Sequence, residues 1–485
     1  MEPPRRCGYT IHQRSGEGKG AAGLGPEEFR GRRVAVVGLG MSNRAVIRFL
    51  CAVGGRVAAF DQAPQGAYGD ELAGLGVPLV AGPDYLEFDP AQFDRIVVTP
   101  GMRKDVTVLR RAAELGVPVD TEANLVLGMS PAPVVGITGS AGKTTTTTLV
   151  GLIASRVWPT SLIGGNIGRP LIEVVAGADP AAWLVLELSS FQLELARKSP
   201  HVAAVLNLRP NHVDVHGTMA AYAAAKRRIF EFQAADDWAV FPLDDPGGAD
   251  MADSARGRVL RFSAVERADA WIDRGWVMRG SERVLRVEDI RVPGEHNLQN
   301  VLAATALSLA MGAPAAAVAE VVREFRGVEH RQELVRERGG VRWINDSIAT
   351  APDRTEAALR TFAEPIVLLA GGYDKGLSFD ELAPLICSRV RALILFGKTA
   401  DLIAAAVAAA GGGPEVVRVP DLAGAVAAAD RVARPGDVVL LSPACASYDQ
   451  FRNFEERGRA FKDHVALLPD IPTTLRHRGL CAGQG

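Results

Sequence analysis

The chain of 485 residues is longer than one ordinary domain, and at roughly 100–200 residues per domain about three domains are expected. Hydrophobic residues make up 48% and charged residues 23%, and the net charge of −2 excludes the strongly basic surface of a nucleic-acid-binding protein. No apolar run of about 18 residues occurs, so membrane insertion is not expected. The cysteines form no CxxC pair, which favours the reducing cytoplasm, and residues 1–28, rich in glycine, proline and charge, predict a disordered extension.

The first segment opens with a strand and a glycine turn. The apolar run Arg33–Val37 leads into Gly38–Gly40, a pattern typical of a buried parallel strand that turns into a helix. A second strand ends at Asp61, roughly 20 residues after the glycines, where Rossmann-like folds have the acid that contacts a ribose. A third strand ends at Thr99, next to a Pro-Gly turn. We predict a Rossmann-like domain at residues 29–129.

The second segment, residues 130–326, carries a phosphate-binding loop. The strand Val134–Thr138 runs into Gly139-Ser-Ala-Gly-Lys-Thr-Thr145, and a helical stretch follows. Backbone N–H groups of such a loop cradle phosphates, the lysine neutralises the β- and γ-phosphates, and the threonine after it can bind Mg²⁺. The glycine spacing departs from G-x-x-x-x-G-K-[ST], while strand, loop and helix follow in the order that the motif requires.

Two further strands of this segment lead to candidate functional residues. The apolar strand Trp183–Glu187 ends in an acid, and an acid at a strand end near a phosphate loop commonly holds the metal. The strand Val202–Asn207 leads to His212, and this position favours a functional role for the imidazole. Lys226 lies in a predicted helix and, from the pattern alone, would be a solvated surface lysine.

The third segment, residues 327–485, repeats the alternation of short apolar runs and helical stretches. Each run breaks into Gly, Ser, Asp or Lys, and the runs begin at Val341, Ile366, Ala392 and Val438. An Ala-rich stretch such as Thr399–Ala410 predicts a helix between two of them. The pattern is typical of a parallel sheet covered on both faces.

Longer motifs along nearly the whole chain after residue 30 resemble those of the Mur ligases of peptidoglycan synthesis. The phosphate loop Gly136–Thr145 is similar, and Gly164–Gly168 looks like the family's substrate loop. Further matching motifs follow in the right order at Glu187–Glu194, Gly294–Asn300 and Leu441–Phe454. The resemblance implies an α/β fold of three domains: a Rossmann-like domain for a uridine nucleotide sugar, a P-loop ATPase-type domain for ATP, and a C-terminal Rossmann-like domain for an amino acid.

The resemblance also implies a reaction and its partners. An ATP-dependent ligase of this kind phosphorylates the carboxylate of UDP-N-acetylmuramoyl-L-alanine, and the amino group of glutamate, expected to be D-glutamate, attacks the acyl phosphate. Phosphorylation is needed because a carboxylate has no good leaving group, and the charged phosphoryl group requires a lysine and Mg²⁺. The family often has a lysine where this chain has Ile348, so L-glutamate stays open. A monomer is expected.

Residues that match the family's functional positions are assigned roles by this resemblance. The catalytic group is Lys143, Glu187, His212 and Lys226. Two Mg²⁺ are expected, with ligands from Thr144, Glu187, His212 and Lys226, where a carbamate on the lysine would supply oxygen to the metal. The implied ATP contacts are Gly139, Ser140, Ala141, Gly142, Lys143, Thr144, Thr145, Asn297, Asn300, Arg331 and Asp346. The implied contacts to the nucleotide sugar are Met41, Ser42, Asp61, Thr99 and Asn166, and those to glutamate are Thr350, Lys375, Ser447 and Phe454.

Four other functions are weighed against this one. Another Mur ligase or a folylpolyglutamate-type ligase would use the same chemistry on a different acceptor. A P-loop switch would leave Glu187, His212 and Lys375 without a purpose. An NAD-dependent dehydrogenase rests only on the stretch Gly38–Ala45, which lacks the third glycine of the dinucleotide pattern, and the complete phosphate loop argues against it.

Overall fold

The computed structural model describes residues 25–64, 68–165, 170–210, 213–292, 294–374 and 376–469. The chain divides into two compact units, residues 1–326 and 327–485, and each is described by itself. Within the described residues the first unit holds two sheets and the second unit holds one, all mainly parallel, so the predicted α/β class is confirmed. None of the described helices combines the length and the apolar character needed to cross a membrane.

The first sheet follows the predicted Rossmann-like pattern. Its strands are β1 Arg33–Val37, β2 Arg56–Asp61, β3 Leu79–Ala81, β4 Arg95–Val98 and β5 Val119–Asp120, and its helices are α1 Met41–Ala52, α2 Gly69–Gly74, α3 Thr107–Glu114 and α4 Glu122–Met129. The strands are all parallel in the order β3-β2-β1-β4-β5. The carboxyl ends of β1 and β4 therefore lie side by side, which brings the turns that follow them to one edge.

The predicted disordered extension, residues 1–28, differs from the structure at its C-terminal end. Pro26–Phe29 forms a 3-10 helix, and the Phe29 side chain is buried and packs edge-on against Phe49 of α1. The apolar ring at the end of a polar stretch anchors this short segment to the core. Order therefore begins before residue 29, and residues 1–24 lie outside the described part of the chain.

The second sheet carries the phosphate loop. Its strands are β6 Val134–Thr138, β7 Leu162–Gly165, β8 Leu184–Glu187, β9 Val202–Val205, β10 Trp238–Pro242, β11 Arg258–Ser263, β12 Ala270–Asp273, β13 Trp276–Arg279 and β14 Glu282–Arg286. Its helices are α5 Lys143–Val157, α6 Leu171–Ala176, α7 Ser190–Leu193, α8 Val213–His216, α9 Met219–Glu231, α10 Pro246–Ala249, α11 Glu295–Met311 and α12 Ala315–Glu324. The order β14-β13-β12-β11-β10-β9-β6-β8-β7 is parallel except for the antiparallel edge β12-β13-β14, which the sequence pattern did not predict.

One hydrophobic core cluster of the first unit contains residues of both of its sheets, and a separate cluster that includes Val37 and Ile96 packs on the other face of the first sheet. The cluster shared by both sheets includes Val36 and Leu50 from the first sheet and α1, together with Leu171 of α6 and Leu186 of β8. Helix α6 packs against α1 and α4, so elements of the two sheets meet directly. The predicted domain limits at residues 129 and 326 stay predictions.

The second unit is a six-stranded sheet within the described residues, with a separate core on each face. Its strands are β15 Glu333–Arg338, β16 Val341–Asn345, β17 Ile366–Gly371, β18 Val390–Phe396, β19 Glu415–Arg418 and β20 Val438–Leu441, and its helices are α13 Pro352–Thr361, α14 Ala383–Arg389, α15 Ala400–Ala409, α16 Leu422–Val432 and α17 Phe454–Ala466. The order is β15-β16-β20-β17-β18-β19, with only the β15 edge antiparallel. Successive residues of β17 alternate between the cores: Leu368 joins one and Leu369 the other.

Candidate active site

The phosphate loop between β6 and α5 is shaped by a glycine and an asparagine. Gly142 has a φ of +80°, and a Cβ at this position would lie 2.3 Å from Asn300 Oδ1. Thr146 of α5 donates a hydrogen bond to the same Asn300 oxygen (3.3 Å), and Asn300 Nδ2 donates to Asn297 Oδ1 (3.3 Å). Of the predicted ATP contacts, Asn300 therefore lies against the loop and Asn297 is bonded to Asn300, although both are about 150 residues away in sequence.

Residues that follow β9 form hydrogen bonds with the phosphate loop and hold its backbone in place. Ala141 N–H donates to Asn207 Oδ1 (2.8 Å), and Asn207 Nδ2 donates back to Ala141 O (3.1 Å). Ser140 Oγ donates to the Arg209 carbonyl (2.8 Å) and lies 3.2 Å from the Tyr222 hydroxyl. Asn207 and Tyr222 were not among the predicted site residues; the polar residue that ends a buried strand beside the loop was the available signal for Asn207.

Two lysines converge on this loop. Lys143 Nζ donates to the carbonyls of Gly139 (2.8 Å) and Ser140 (3.2 Å), and Lys226 Nζ donates to the same Gly139 carbonyl (2.9 Å) and to Thr138 Oγ1 (3.3 Å). Lys226 is 1% exposed, so the surface position expected from the pattern alone is wrong. Burial lowers the pKa of Lys226 well below its usual value, the charge of Lys143 lowers it further, and Glu187 opposes both effects.

Glu187 completes the described part of this cluster. It ends β8, is 2% exposed, and is in register with Ile137 of β6, the strand that leads into the loop. Thr144, the second residue of α5, is also buried. His212 lies outside the described residues. Lys143 at the start of α5, the buried Lys226 that reaches the same loop, and a buried carboxylate and hydroxyl fit a triphosphate and a hard oxygen-seeking metal ion.

The turns after β1 and β4 form a second cluster in the first unit. Gly38 has a φ of +82°, and a Cβ there would lie 2.7 Å from Thr99 Cγ2, so the predicted contact Thr99 lies against the glycine turn. Asp61 accepts hydrogen bonds from the backbone N–H of Leu39 and, at 2.7 Å, of Ala63. Met41 and Ser42 begin α1 beside this turn, with Met41 exposed and Ser42 half-buried. Asn166 lies outside the described residues.

The predicted nucleotide residues of the second unit also lie close together. Asp346 is buried, and its carboxylate accepts hydrogen bonds from Gln332 N–H (3.2 Å) and Ser442 Oγ (2.8 Å). Burial raises the pKa of Asp346 to about 7, and the positive charges of Arg331 and Arg354 oppose that rise. A guanidinium near this carboxylate is the arrangement expected if Arg331 and Asp346 belong to one site.

The predicted glutamate contacts lie at the ends of β20 and β16. Ser447 is 1% exposed, and no hydrogen-bond partner reaches its Oγ from the described part of the chain. Phe454 begins α17, and its carbonyl accepts a hydrogen bond from Ser347 Oγ (2.8 Å). Thr350 follows β16 and precedes α13. Lys375 lies outside the described residues. A buried hydroxyl without a partner is suited to a substrate carboxylate.

Arg457 supports this region and was missed by the sequence analysis. Its fully buried guanidinium donates to Ser347 Oγ (3.0 Å), Ser347 O (2.9 Å), Cys445 O (3.0 Å) and Ala446 O (3.2 Å). Burial lowers its pKa to about 10. In a single sequence an arginine within an amphipathic helix indicates an exposed residue, so no local signal predicts this role.

Replacing Arg457 by alanine is expected to destabilise the second unit by about 3 kcal/mol or more, because buried acceptors would lose their donors and a cavity would remain. Urea unfolding followed by fluorescence measures this change. Arg452→Ala is the control, since its side chain is 85% exposed and pairs only with Glu456 four residues on, among described residues. Equal stabilities of the two variants would contradict the structural role of Arg457.

The chain is similar to known proteins over most of its length. Residues 32–120 match the Mur ligase MurD-like N-terminal domain, residues 137–308 the Mur ligase middle domain, and residues 330–445 the Mur ligase glutamate ligase domain. The UDP-N-acetylmuramoylalanine--D-glutamate ligase of Symbiobacterium thermophilum is 51% identical over 450 residues, which cover 90% of this chain and 98% of that protein. The chain belongs to the Mur ligase family. The predicted family is thereby confirmed.

Two other proteins are similar to this Mur ligase over nearly their whole length. The protein of the same name from Pelotomaculum thermopropionicum is 43% identical over 453 residues, covering 91% of this chain and 99% of that protein. Among solved structures, the UDP-N-acetylmuramate-alanine ligase of Thermotoga maritima is similar with a TM-score of 0.52 at 20% identity, covering 90% of this chain and 99% of that chain. At this identity the structural likeness supports the fold alone.

Proposed function

We propose that this Mur ligase joins D-glutamate to the carboxylate of UDP-N-acetylmuramoyl-L-alanine, with conversion of ATP to ADP and phosphate, in peptidoglycan precursor synthesis. The observation that carries the proposal is the 51% identity, over 90% of this chain, to a ligase named for that reaction. The phosphate loop with its two converging lysines supports the use of ATP. Cytoplasmic location and a monomeric state stay predictions.

The described residues supply what ATP and Mg²⁺ require. Backbone N–H groups of residues 139–145 and the Lys143 ammonium would hold the phosphates at the start of α5. Thr144 and Glu187 would supply oxygen ligands to Mg²⁺, together with the predicted ligand His212. When bound, Mg²⁺ offsets the negative charge that builds up on the phosphate oxygens during phosphoryl transfer.

We infer that Lys226 carries a carbamate. A protonated lysine cannot ligate a metal cation, whereas a carbamate presents two oxygens, which suit a hard ion. Carbamate formation needs the neutral amine as the nucleophile, and burial together with the neighbouring charge of Lys143 favours that form. The new C–N bond forms between Nζ and the carbon of CO₂, and one proton leaves the nitrogen. Two Mg²⁺ ions are expected, and the carbamate on Lys226 would supply an additional oxygen ligand.

The chain's own residues then divide the work of the reaction. Lys143 stabilises the charge of the transferring phosphoryl group, which forms the acyl phosphate on the alanyl carboxylate. The glutamate amine then attacks the carbonyl carbon of the acyl phosphate and forms a C–N bond with it. The C–O bond to phosphate breaks, and phosphate leaves with the electron pair of that bond. Ser447 Oγ and the first turn of α17 at Phe454 would hold the glutamate carboxylates. The amine reaches the carbon only after losing a proton to a base or solvent.

We propose that Arg354 supplies the positive charge that the family often has at position 348 as a lysine. Arg354 lies in the first turn of α13, and its Nη1 donates to the Ile348 carbonyl (3.3 Å), so a cation lies beside the residue where the family often has lysine. Arg354→Ala is expected to raise the KM for D-glutamate about tenfold, the effect of one charge-assisted hydrogen bond, with kcat little changed. Steady-state phosphate release measures both constants.

The matched control for this prediction is Arg360→Ala. Arg360 lies on the same helix α13, is exposed, and pairs with Glu356 one turn away. Its replacement should leave the KM for D-glutamate within about twofold, because a surface ion pair contributes little to function or stability. A KM that is unchanged in Arg354→Ala, or equally raised in both variants, would contradict the role given to Arg354.

The proposed function is tested by following ADP and phosphate with Mg-ATP and UDP-N-acetylmuramoyl-L-alanine, adding D-glutamate or L-glutamate in parallel reactions. Turnover that requires D-glutamate and yields a product heavier by one glutamyl residue is expected. Turnover only with L-glutamate would retain the ligase chemistry and reverse the stereochemistry. Absence of turnover with both, from folded protein that binds ATP, would overturn the proposal in favour of another acceptor.

A further inference from the structure

A buried carboxylate connects the two sheets of the first unit. Glu122 begins α4 and is 1% exposed. Its Oε1 accepts a hydrogen bond from the backbone N–H of Ile172 (3.0 Å), and the Leu171 N–H and the Ser42 hydroxyl lie close enough to the carboxylate to stabilise its charge. A single side chain thus contacts helix α6 and helix α1. The sequence analysis assigned Glu122 no role.

The contacts of Glu122 lie beside residues that are predicted to bind the nucleotide sugar. Ser42 is in the first turn of α1, directly after the glycine turn that packs against Thr99. Helix α6 follows β7, which is paired with β8, so that Gly165 is in register with Glu187 of the phosphate cluster. The Glu122 carboxylate therefore lies between the first turn of α1, which follows the glycine turn of the first sheet, and the first turn of α6.

The energetics argue against an incidental contact. Removing a carboxylate from water costs free energy, and burial raises the pKa of Glu122. The negative charge of Glu173 raises this pKa further, whereas the N–H groups of Ile172 and Leu171 and the Ser42 hydroxyl lower it. An apolar residue of similar size would pack α4 against α6 without this penalty. What the carboxylate adds is directional: acceptor oxygens that fix the positions of Ser42 and of the first turn of α6 relative to one another.

We propose that Glu122 is a positioning residue for the nucleotide-sugar substrate, which fixes the Ser42 turn relative to the first turn of α6. The inference rests on the proposed function for the identity of that substrate. Glu122 is too deeply buried to bind the substrate itself, so it acts through Ser42 and the backbone of α6. Its loss changes substrate affinity by letting the two segments move apart, while the ATP site keeps its geometry.

The test compares Glu122→Ala and Glu122→Gln with the control Asn124→Ala. Asn124 lies on the same helix, is 4% exposed, and bonds to Asp120 and to Arg197 N–H (2.8 Å), neither of which belongs to the predicted nucleotide-sugar contacts. The full-length proteins are titrated calorimetrically with UDP, with UDP-N-acetylmuramoyl-L-alanine and with ATP. Chemical unfolding of each variant reports the accompanying loss of stability.

Glu122→Ala is expected to weaken binding of both uridine ligands about tenfold or more with ATP affinity within about twofold, by analogy with the loss of residues that orient a binding group. Glu122→Gln keeps one acceptor oxygen and should recover most of the affinity, and Asn124→Ala should lose stability without losing UDP affinity. UDP affinity that is unchanged in Glu122→Ala, or lowered equally in Asn124→Ala, overturns the inference. Normal UDP binding by wild-type protein that lacks ligase activity would overturn the proposed function alone.

Discussion

Lys226→Ala is expected to lower kcat by about 10³-fold, with a smaller change in the KM for ATP. The variant loses the oxygen ligand that a carbamate would supply, and electrostatic stabilisation by one such group is worth about 10²–10³ in rate. Lys226→Arg should be as inactive as Lys226→Ala, because a guanidinium stays charged and does not add CO₂. Steady-state phosphate release with all three substrates measures the effect.

A spectroscopic measurement separates carbamate chemistry from a general loss of the lysine. Wild-type protein equilibrated with ¹³CO₂ should give a ¹³C carbamate resonance, and Lys226→Arg should lack it. Lys104→Met is the control, because burial also lowers the pKa of Lys104, while its Nζ is bound by the carbonyls of Pro100 and Met102 in a different turn. A resonance that survives in Lys226→Arg, or kcat near wild type in Lys226→Ala, would contradict the carbamate.

Lys143→Ala is expected to lower kcat/KM for ATP by about 10³-fold. Lys143 is the first residue of α5, and its ammonium bonds to the carbonyls of the phosphate loop, the place where the β- and γ-phosphates would lie. Most of the effect should fall on kcat, because charge on the phosphoryl oxygens is redistributed in the transition state. Phosphate release and calorimetric ATP binding together give this division.

Arg156→Ala provides the control for Lys143 on the same helix. Arg156 lies in the last turn of α5, about 20 Å along the axis from Lys143, and its guanidinium pairs with Glu320 and Glu324 of α12. These pairs are exposed and contribute little, so kcat/KM should stay within about twofold of wild type. If Lys143→Ala retained activity comparable to that of Arg156→Ala, phosphate binding at the loop would be contradicted.

The strands were predictable from the sequence because each is a short apolar run that breaks into a turn. The structure begins β2 at Arg56 and ends it at Asp61, as predicted, and β16 and β17 begin at Val341 and Ile366, where the predicted apolar runs begin. The antiparallel edge Ala270–Arg286 escaped prediction, since its strands are only four or five residues long and none of them alternates apolar and polar residues. The local pattern therefore predicted the central strands of the parallel sheets, whereas the edge strands and the interior strands β10 and β11 were not predicted.

The site residues were predictable where consecutive residues form a functional motif, as in the phosphate loop. Residues whose role depends on distant partners were not: Asn207 holds the loop across 66 positions, and Arg457 reaches Ser347 across 110. Lys226 illustrates the same limit, because its helix pattern indicates exposure and only the packing of α9 on β6 buries it. The resemblance to the family, not the local pattern, identified that lysine.

The central claim is that ATP activates the alanyl carboxylate as an acyl phosphate before glutamate is added. It is tested by supplying UDP-N-acetylmuramoyl-L-alanine with both oxygens of that carboxylate labelled with ¹⁸O, together with Mg-ATP and D-glutamate, and measuring the mass of the released phosphate. One ¹⁸O in each phosphate is predicted, because the C–O bond breaks when the amine displaces phosphate. Amide product accompanied by unlabelled phosphate would contradict the account.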